Sequence, residues 1–358
     1  MKKFLYTIVL VILTLIVCAC YSIDLTTDPS GRRTGSALSS RAQSEKIMIY
    51  TSMYNDVVLN IQRTLLRQFP NYQIEFTYGG TGLIQSIIEN DLAVTGRLGC
   101  DILLVAEPSF SMEMKNNGML HPFTASAVSN LAFDYDPQGY WYPVRVSNMV
   151  LAYNPDRTPL NTIPDSFYGF ANDQRLRGVI SMSSPITSGT SFATVSALKD
   201  KYGYDYFSAL GRQNVQIDSG SVALSKLETG EYRMVMILEE TVLKARAEDS
   251  SRIEIIYPSD GVIVIPSTIM IVNDKWNANN NSKKAEEIAE WFLSHDGQNA
   301  VILGYMHSVL RNSRVPFHSI STSEIVANSI PVDWKSLNND REEIKSRFEE
   351  NILYKQTN

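Results

Sequence analysis

"YPVRVSNMVLAYN" (Tyr142–Asn154) and "GVIVIPSTIMIVN" (Gly261–Asn273) are two long extended stretches in a chain otherwise built from short strands alternating with helices. Each lies between blocks of α/β pattern. A segment of this kind crosses from one lobe to another, and two crossings make two lobes joined by a hinge with a cleft between. The sequence therefore predicts hinge crossings near 143–153 and 261–272. It predicts a first lobe of residues 45–145 plus 264–312 and a second of 146–263 plus 313–358.

The flanking blocks support this division. "KIMIY" (Lys46–Tyr50) reads as a strand. A helix follows with Val58, Ile61, Leu65 and Phe69 on one face, stopped by Pro70. "YQIEFTY" alternates as a strand does, and "GGTG" (Gly79–Gly82) leads into a helix carrying Leu83, Ile84, Ile87 and Ile88. "DILLVAEP" (Asp101–Pro108) is continuously apolar, as a strand buried on both faces of a parallel sheet must be. The middle repeats the theme with strands "GVISM", "NVQI", "YRMVMIL" and "IEIIYP". "KKAEEIAEWFLS" and "GQNAVILGYM" are helices, and the last fifty residues carry a weaker helical pattern. The class is α/β. Ligands in open sheets of this class bind at the carboxyl ends of strands, which here would point into the cleft.

Ahead of the body, Lys2 and Lys3 precede an apolar run from Phe4 to Val17, the layout of a secretory leader. No later run is long enough to span a bilayer. The run ends in "LIVCAC", with Ala19 before Cys20, so residues 1–20 read as a lipoprotein signal with Cys20 as the lipid-modified terminus. Cys18 is the alternative, although the bulky Val17 precedes it, and plain secretion is the simpler reading. Residues 21–44, rich in Ser, Thr, Gly and Arg, form a flexible tether. Cys100 opens an apolar strand and reads as buried and inert.

Composition narrows the partners. The 358 residues are 44% apolar and 20% charged, with a formal net charge of −6, which argues against nucleic acid. A small anionic ligand remains compatible, because a closed cleft sets its own field. No nucleophile elbow, zinc spacing or Walker loop is present.

Several polar stretches are candidate ligand contacts. In "SMSSPITSGTSFATVSAL" (Ser181–Leu198), Thr187, Ser188, Thr190 and Ser191 surround Gly189 just before an apolar helix, with Ser184 upstream. One hydroxyl suffices to cap a helix. The surplus, with free helix N–H groups, could hold a phosphate or phosphonate. "DSGS" (Asp218–Ser221) repeats the arrangement with Ser219 and Ser221, and "GGTG" offers Gly80, Thr81 and Gly82. Each taken alone is also an ordinary turn and cap. Glu239 and Glu240 follow a buried strand and either hold a ligand's hydroxyl or ammonium groups or merely charge a first helical turn. Glu107 sits at another strand's carboxyl end.

The order and spacing of these stretches resemble the periplasmic binding proteins of ABC importers. The group concerned includes ferric-ion, phosphonate and sugar-phosphate binders. The residues that carry the resemblance are "YTS", "YGGTGLIQSI", "DILLVAEPSF", "GYWYPVRVSNMVLAYN", "GVISMSSPITSGTSFATVSAL", "DSGS", "MILEE", "IIYPSDGVIVIP" and "AEEIAEWFLSHDGQNAV". The resemblance covers most of the chain after residue 45 and weakens beyond Val315. It implies a type II two-lobed, hinge-closing α/β fold without chemistry on the ligand. It adds Thr51 and Ser52, after the first strand, to the site.

One departure is informative. The ferric members of this group place adjacent tyrosines near Leu238–Glu240 and a histidine soon after the first strand; this chain has neither. His121, His295, His307 and His318 read as structural or surface residues. The expectation is a monomeric, lipid-anchored capture protein, with no cofactor, metal or catalytic residue. It would deliver a phosphorylated sugar or organophosphonate to an inner-membrane ABC permease. A ferric protein with a non-tyrosine or anion-bridged site is the alternative.

Overall fold

A computed structural model describes residues 45–354. Cys20, the leader and the tether lie outside these residues. Eleven strands form one sheet: β1 (Glu45–Thr51), β2 (Tyr72–Tyr78), β3 (Ile102–Ala106), β4 (Leu120–His121), β5 (Trp141–Tyr153), β6 (Ile180–Met182), β7 (Gln216–Ile217), β8 (Met234–Leu238), β9 (Glu254–Ile256), β10 (Val262–Val272) and β11 (Ser329–Ile330). The main order is β2-β1-β3-β10-β5-β8-β6-β7. β1 pairs parallel with β2 and β3 at one end, and β6 pairs parallel with β7 and β8 at the other. The two long strands at the centre, β5 and β10, run antiparallel to each other.

The chemistry of these strands explains their places. Every residue of β3, β5 and β8 is buried, as expected for strands covered on both faces. β1 and β2, nearer the edge, are less uniformly buried and expose Glu45, Lys46, Gln73 and Tyr78.

The core separates along the two long strands. Val144 and Val146 of β5 pack with Ile47, Ile61, Leu104 and Phe292 in one cluster. Met149, Leu151 and Tyr153 of the same strand pack with Phe167, Phe192, Phe207 and Met236 in another. β10 divides likewise, with Ile269 and Ile271 in the first cluster and Ile263 and Ile265 in the second. Each long strand thus belongs to both cores. A bulge between Ser267 and Thr268 marks the change on β10.

The C-terminal segment is part of this packing. Leu337, Ile344, Phe348 and Ile352 are buried in the second core, and the Phe348 ring meets Phe207 edge-on at 5.9 Å. The Trp334–Asn339 helix also packs on the Pro108–Asn116 helix of the other half. Among the described residues no helix is long and apolar enough to cross a membrane. Cys100 is a buried free thiol, and burial holds its proton well above the usual thiol range.

Phe348→Ala is expected to destabilise the chain by about 3–5 kcal/mol. Denaturant unfolding measures this, and a loss under about 1 kcal/mol would mean that the tail does not belong to the core.

Candidate functional site

A cavity of about 710 Å³ opens where the strand ends converge. The loop after β1 supplies Ser52, Met53, Tyr54 and Asn55. The loop after β2 supplies Tyr78, Gly79, Gly80 and Thr81, and Ala106 ends β3. From the other half come Ser183, Ser184, Thr187, Ser188, Gly189 and Thr190 after β6. Asp218, Ser219 and Gly220 follow β7, and Leu238 ends β8. Arg145 enters from the middle of β5.

Three helices begin on this cavity. Gly80 precedes the Thr81–Thr95 helix with no side chain capping it. Ser188 caps the Gly189–Tyr202 helix through Ser191 N–H at 3.2 Å. Ser219 caps the Gly220–Thr229 helix through Val222 N–H at 3.4 Å. The dipoles and N–H groups of all three favour negative charge in the space between.

The two halves touch across the cavity mouth. Gly82 N–H donates to Thr187 O at 3.2 Å. A Cβ on Gly80 would lie 2.4 Å from that same carbonyl, and one on Gly189 would lie 2.5 Å from Thr81 Oγ1. Only glycine lets these backbones approach so closely. On the opposite lip Lys244 pairs with Asp56, and Thr241 Oγ1 lies 3.5 Å from the Tyr54 hydroxyl.

Two buried polar atoms at the cavity lack partners. Thr81 is 2% exposed and its Oγ1 has none. Arg145 is 2% exposed and its Nε has none. Among the described residues six buried side-chain atoms lack a partner, and two of them belong to residues lining this cavity, where a polar group could satisfy them. Arg145 Nη1 donates to Met306 Sδ at 2.8 Å and lies 3.5 Å from Glu240 Oε1. Burial lowers its pKa, yet a guanidinium stays charged.

The residues singled out in the sequence divide into three sets. Ser52, Gly80, Thr81, Ser184, Thr187, Ser188, Gly189, Thr190 and Ser219 line the cavity. Thr51, Gly82, Ser191 and Ser221 sit beside it and serve the backbone or a neighbour. Thr51 Oγ1 accepts from Met53 N–H, Gly82 bonds Thr187, Ser191 Oγ donates to Ser183 O, and Ser221 pairs with Ser219.

Glu107, Glu239 and Glu240 do not line the cavity at all. Glu107 is fully buried, caps the Pro108–Asn116 helix through Ser109 N–H, and accepts from Arg341 Nη2 at 2.9 Å. Glu239 is saturated by four donors: Asn148 at 2.6 Å, His307 at 3.0 Å, and Tyr257 and Ser319 at 2.5 Å. Burial pushes its carboxyl up, but His307 and these hydrogen bonds outweigh that and hold it below the usual range. Glu240 pairs with Arg145 at 3.5 Å and accepts from Ser147 Oγ.

Arg145, Tyr54, Tyr78 and Asp218 line the cavity without having been sequence candidates, while His307, read as structural or surface, is buried against Glu239. Arg145 had a visible signal, a lone charge inside the apolar run "PVRV", which a buried strand tolerates only with a partner. His307 had none, because its partner Glu239 is far away in the chain.

A second cavity, of about 850 Å³, lies between the Pro108–Asn116 helix, residues 133–137 and residues 326–339. None of the predicted site residues lines it. Among the described residues no group of three or more His, Cys, Asp or Glu is arranged to hold a metal ion.

The sequence profile of the bacterial extracellular solute-binding protein family matches residues 100–337. The chain belongs to that family. No curated protein matches this solute-binding protein in sequence. Solved structures match it in fold. AfuA from Actinobacillus pleuropneumoniae, a periplasmic binding protein solved with exogenous fructose-6-phosphate bound, is 17% identical. The match covers 86% of this chain and 99% of that one, with a TM-score of 0.75. Iron-bound HitA from Pseudomonas aeruginosa is also 17% identical, over 85% of this chain and 99% of that one, with a TM-score of 0.73. The ferric binding protein from Campylobacter jejuni is 16% identical, over 85% and 98%, at 0.70. The fold is therefore the two-lobed α/β fold of periplasmic binding proteins, as the sequence led one to expect.

The Glu239 network gives a pH prediction. A carboxyl lowered in the folded state stabilises above the unfolded value near 4.3, and that contribution is lost as pH falls through the folded value. Glu239→Gln is expected to cost about 3–5 kcal/mol at neutral pH. The gap to wild type should shrink on acidification below about pH 5. Unfolding followed at both pH values checks this; a gap that stays constant would contradict it.

Proposed function

We propose that this protein captures a small anionic solute, a phosphorylated sugar or an organophosphonate, in the cavity between its lobes and hands it to an ABC permease. The observation that carries the reading is one cavity joining three helix N-termini to a buried arginine and a buried threonine hydroxyl, each with an unpartnered atom. The ligand's anionic group would occupy that space, accepting from Arg145 Nε, Thr81 Oγ1 and helix N–H groups. Asp218 and the Tyr54 and Tyr78 rings on the rim suit the hydroxyl-bearing remainder.

Capture works by hinge closure about β5 and β10, with the lobes divided within β5 after Val146 and within β10 after Ile265, a residue or two from the bounds of 45–145 plus 264–312 and 146–263 plus 313–358 that the sequence predicts. The Gly82–Thr187 and Lys244–Asp56 contacts belong to the closed form. Closure favoured by the ligand's contacts to both lobes is a population shift, and no bond in the solute changes. The protein acts as a monomer tethered to the membrane by lipid on Cys20. The ferric alternative would draw on Glu239 and Glu240, whose engagement by His307 and Arg145 supports the anion reading.

A thermal-shift panel of hexose phosphates, aminoethylphosphonate, inorganic phosphate and ferric citrate tests the ligand. A true ligand at 100 times its Kd stabilises by about 2.7 kcal/mol. Thr81→Val removes a hydroxyl with no partner in the protein, so stability should hold while ligand affinity falls about tenfold to a hundredfold. A shift by ferric citrate alone, or unchanged affinity in Thr81→Val, would contradict the reading. Separately, Cys20→Ala should abolish incorporation of labelled fatty acid into the protein; unchanged incorporation would refute Cys20 as the anchor.

A further inference from the structure

The cation of the cavity already has a claimant. Glu240 Oε1 lies 3.5 Å from Arg145 Nη1, and Glu240 is 4% exposed with Ser147 Oγ donating to it at 2.8 Å. The pair is therefore net neutral before anything binds. Apart from that carboxylate, Arg145 Nη1 meets only the Met306 sulfur, a weak acceptor, and Nε meets nothing. An anion arriving at Nε would place a second negative charge on the same buried guanidinium. A second negative charge this close in a desolvated site favours the protonated form of the first.

We infer that Glu240 takes up a proton from solvent when an anion binds at Arg145, so that capture is coupled to protonation of a residue that does not line the cavity. The inference rests on the anion reading of the site. The proton joins a Glu240 carboxylate oxygen, and no bond to the ligand forms or breaks.

The neighbouring groups leave Glu240 as the acceptor. On β5, Arg145 remains a cation and Ser147 only donates. On its own helix Glu239 is held ionised by four donors, His307 among them. From the loop after β1 comes Tyr54, a neutral phenol at ordinary pH. Glu240 has one hydrogen-bonding hydroxyl and a shared arginine, and burial lifts its carboxyl above the usual range despite both. A bound anion lifts it further. Affinity therefore falls as pH rises above the ligand-free value of Glu240, by up to about tenfold per pH unit.

Calorimetry with fructose 6-phosphate and with inorganic phosphate, in two buffers of different ionisation enthalpy, reads the proton directly. Wild type should take up more protons than Glu240→Gln, by up to one per ligand, since the ligand's own proton is common to both. Glu240→Gln, which mimics the neutral carboxyl, should bind tighter than wild type at alkaline pH, and the advantage should shrink as pH falls. Ser147→Ala removes the donor to Glu240 and should move the wild-type pH profile upward, a readout that does not depend on the glutamine variant folding. Equal proton uptake in wild type and Glu240→Gln, or an unmoved profile in Ser147→Ala, overturns this coupling and leaves anion capture standing. Failure of both compounds to bind wild type near pH 5.5 overturns the coupling and the anion reading together.

Discussion

The antiparallel pairing of β5 with β10 carries both halves of the molecule on two continuous strands. Each strand begins in one hydrophobic core and ends in the other, so the halves cannot separate without breaking the centre of the sheet. They can only bend about it. Arg145 sits on β5 between Val144 and Val146, both buried in the first core, and reaches the cavity from there. The charge proposed to hold a ligand is thus fixed to a strand shared by both cores, and closure would bring the hydroxyl-rich loops to it.

The contact between the halves in turn depends on small residues. The approach of Gly80 and Gly82 to Thr187, and of Gly189 to Thr81, leaves no room for a side chain. The same loops start the helices whose N-termini face the cavity. On the proposed reading, closing the lobes would also assemble the anion site, because the backbone contacts at the mouth belong to the loops that supply its lining. Behind this layer the carboxylates work on the frame. Glu107 joins Arg341 of the tail, which also stacks on Phe192 at 4.6 Å, and Glu239 joins His307. Each of these pairs ties distant parts of the chain together.

Most of the fold was legible because strands buried on both faces announce themselves as unbroken apolar runs. "ILLVA" and "MVMIL" are such runs, and "GGTG" and "TSGTS" mark helix starts through glycine and hydroxyl chemistry. The direction of a side chain was not legible. Glu107, Glu239 and Glu240 follow buried strands, where sequence logic puts ligand contacts, yet each turns to a partner distant in the chain: Arg341, His307 and Arg145. The hydroxyls of residues 181–198 divided for a local reason. Ser188 caps, Ser191 turns back to Ser183, and Thr187 and Thr190 remain on the cavity.

The central claim is that Arg145 and Thr81 hold the anionic group of a solute between the lobes. A crystal structure of the protein grown with a hexose phosphate tests it most directly. The account predicts phosphoryl oxygens within hydrogen-bonding distance of Arg145 Nε and Thr81 Oγ1, with the Gly82–Thr187 contact closed. A phosphoryl group seated elsewhere, such as the cavity beside Trp334, with both atoms still unpartnered, would contradict it.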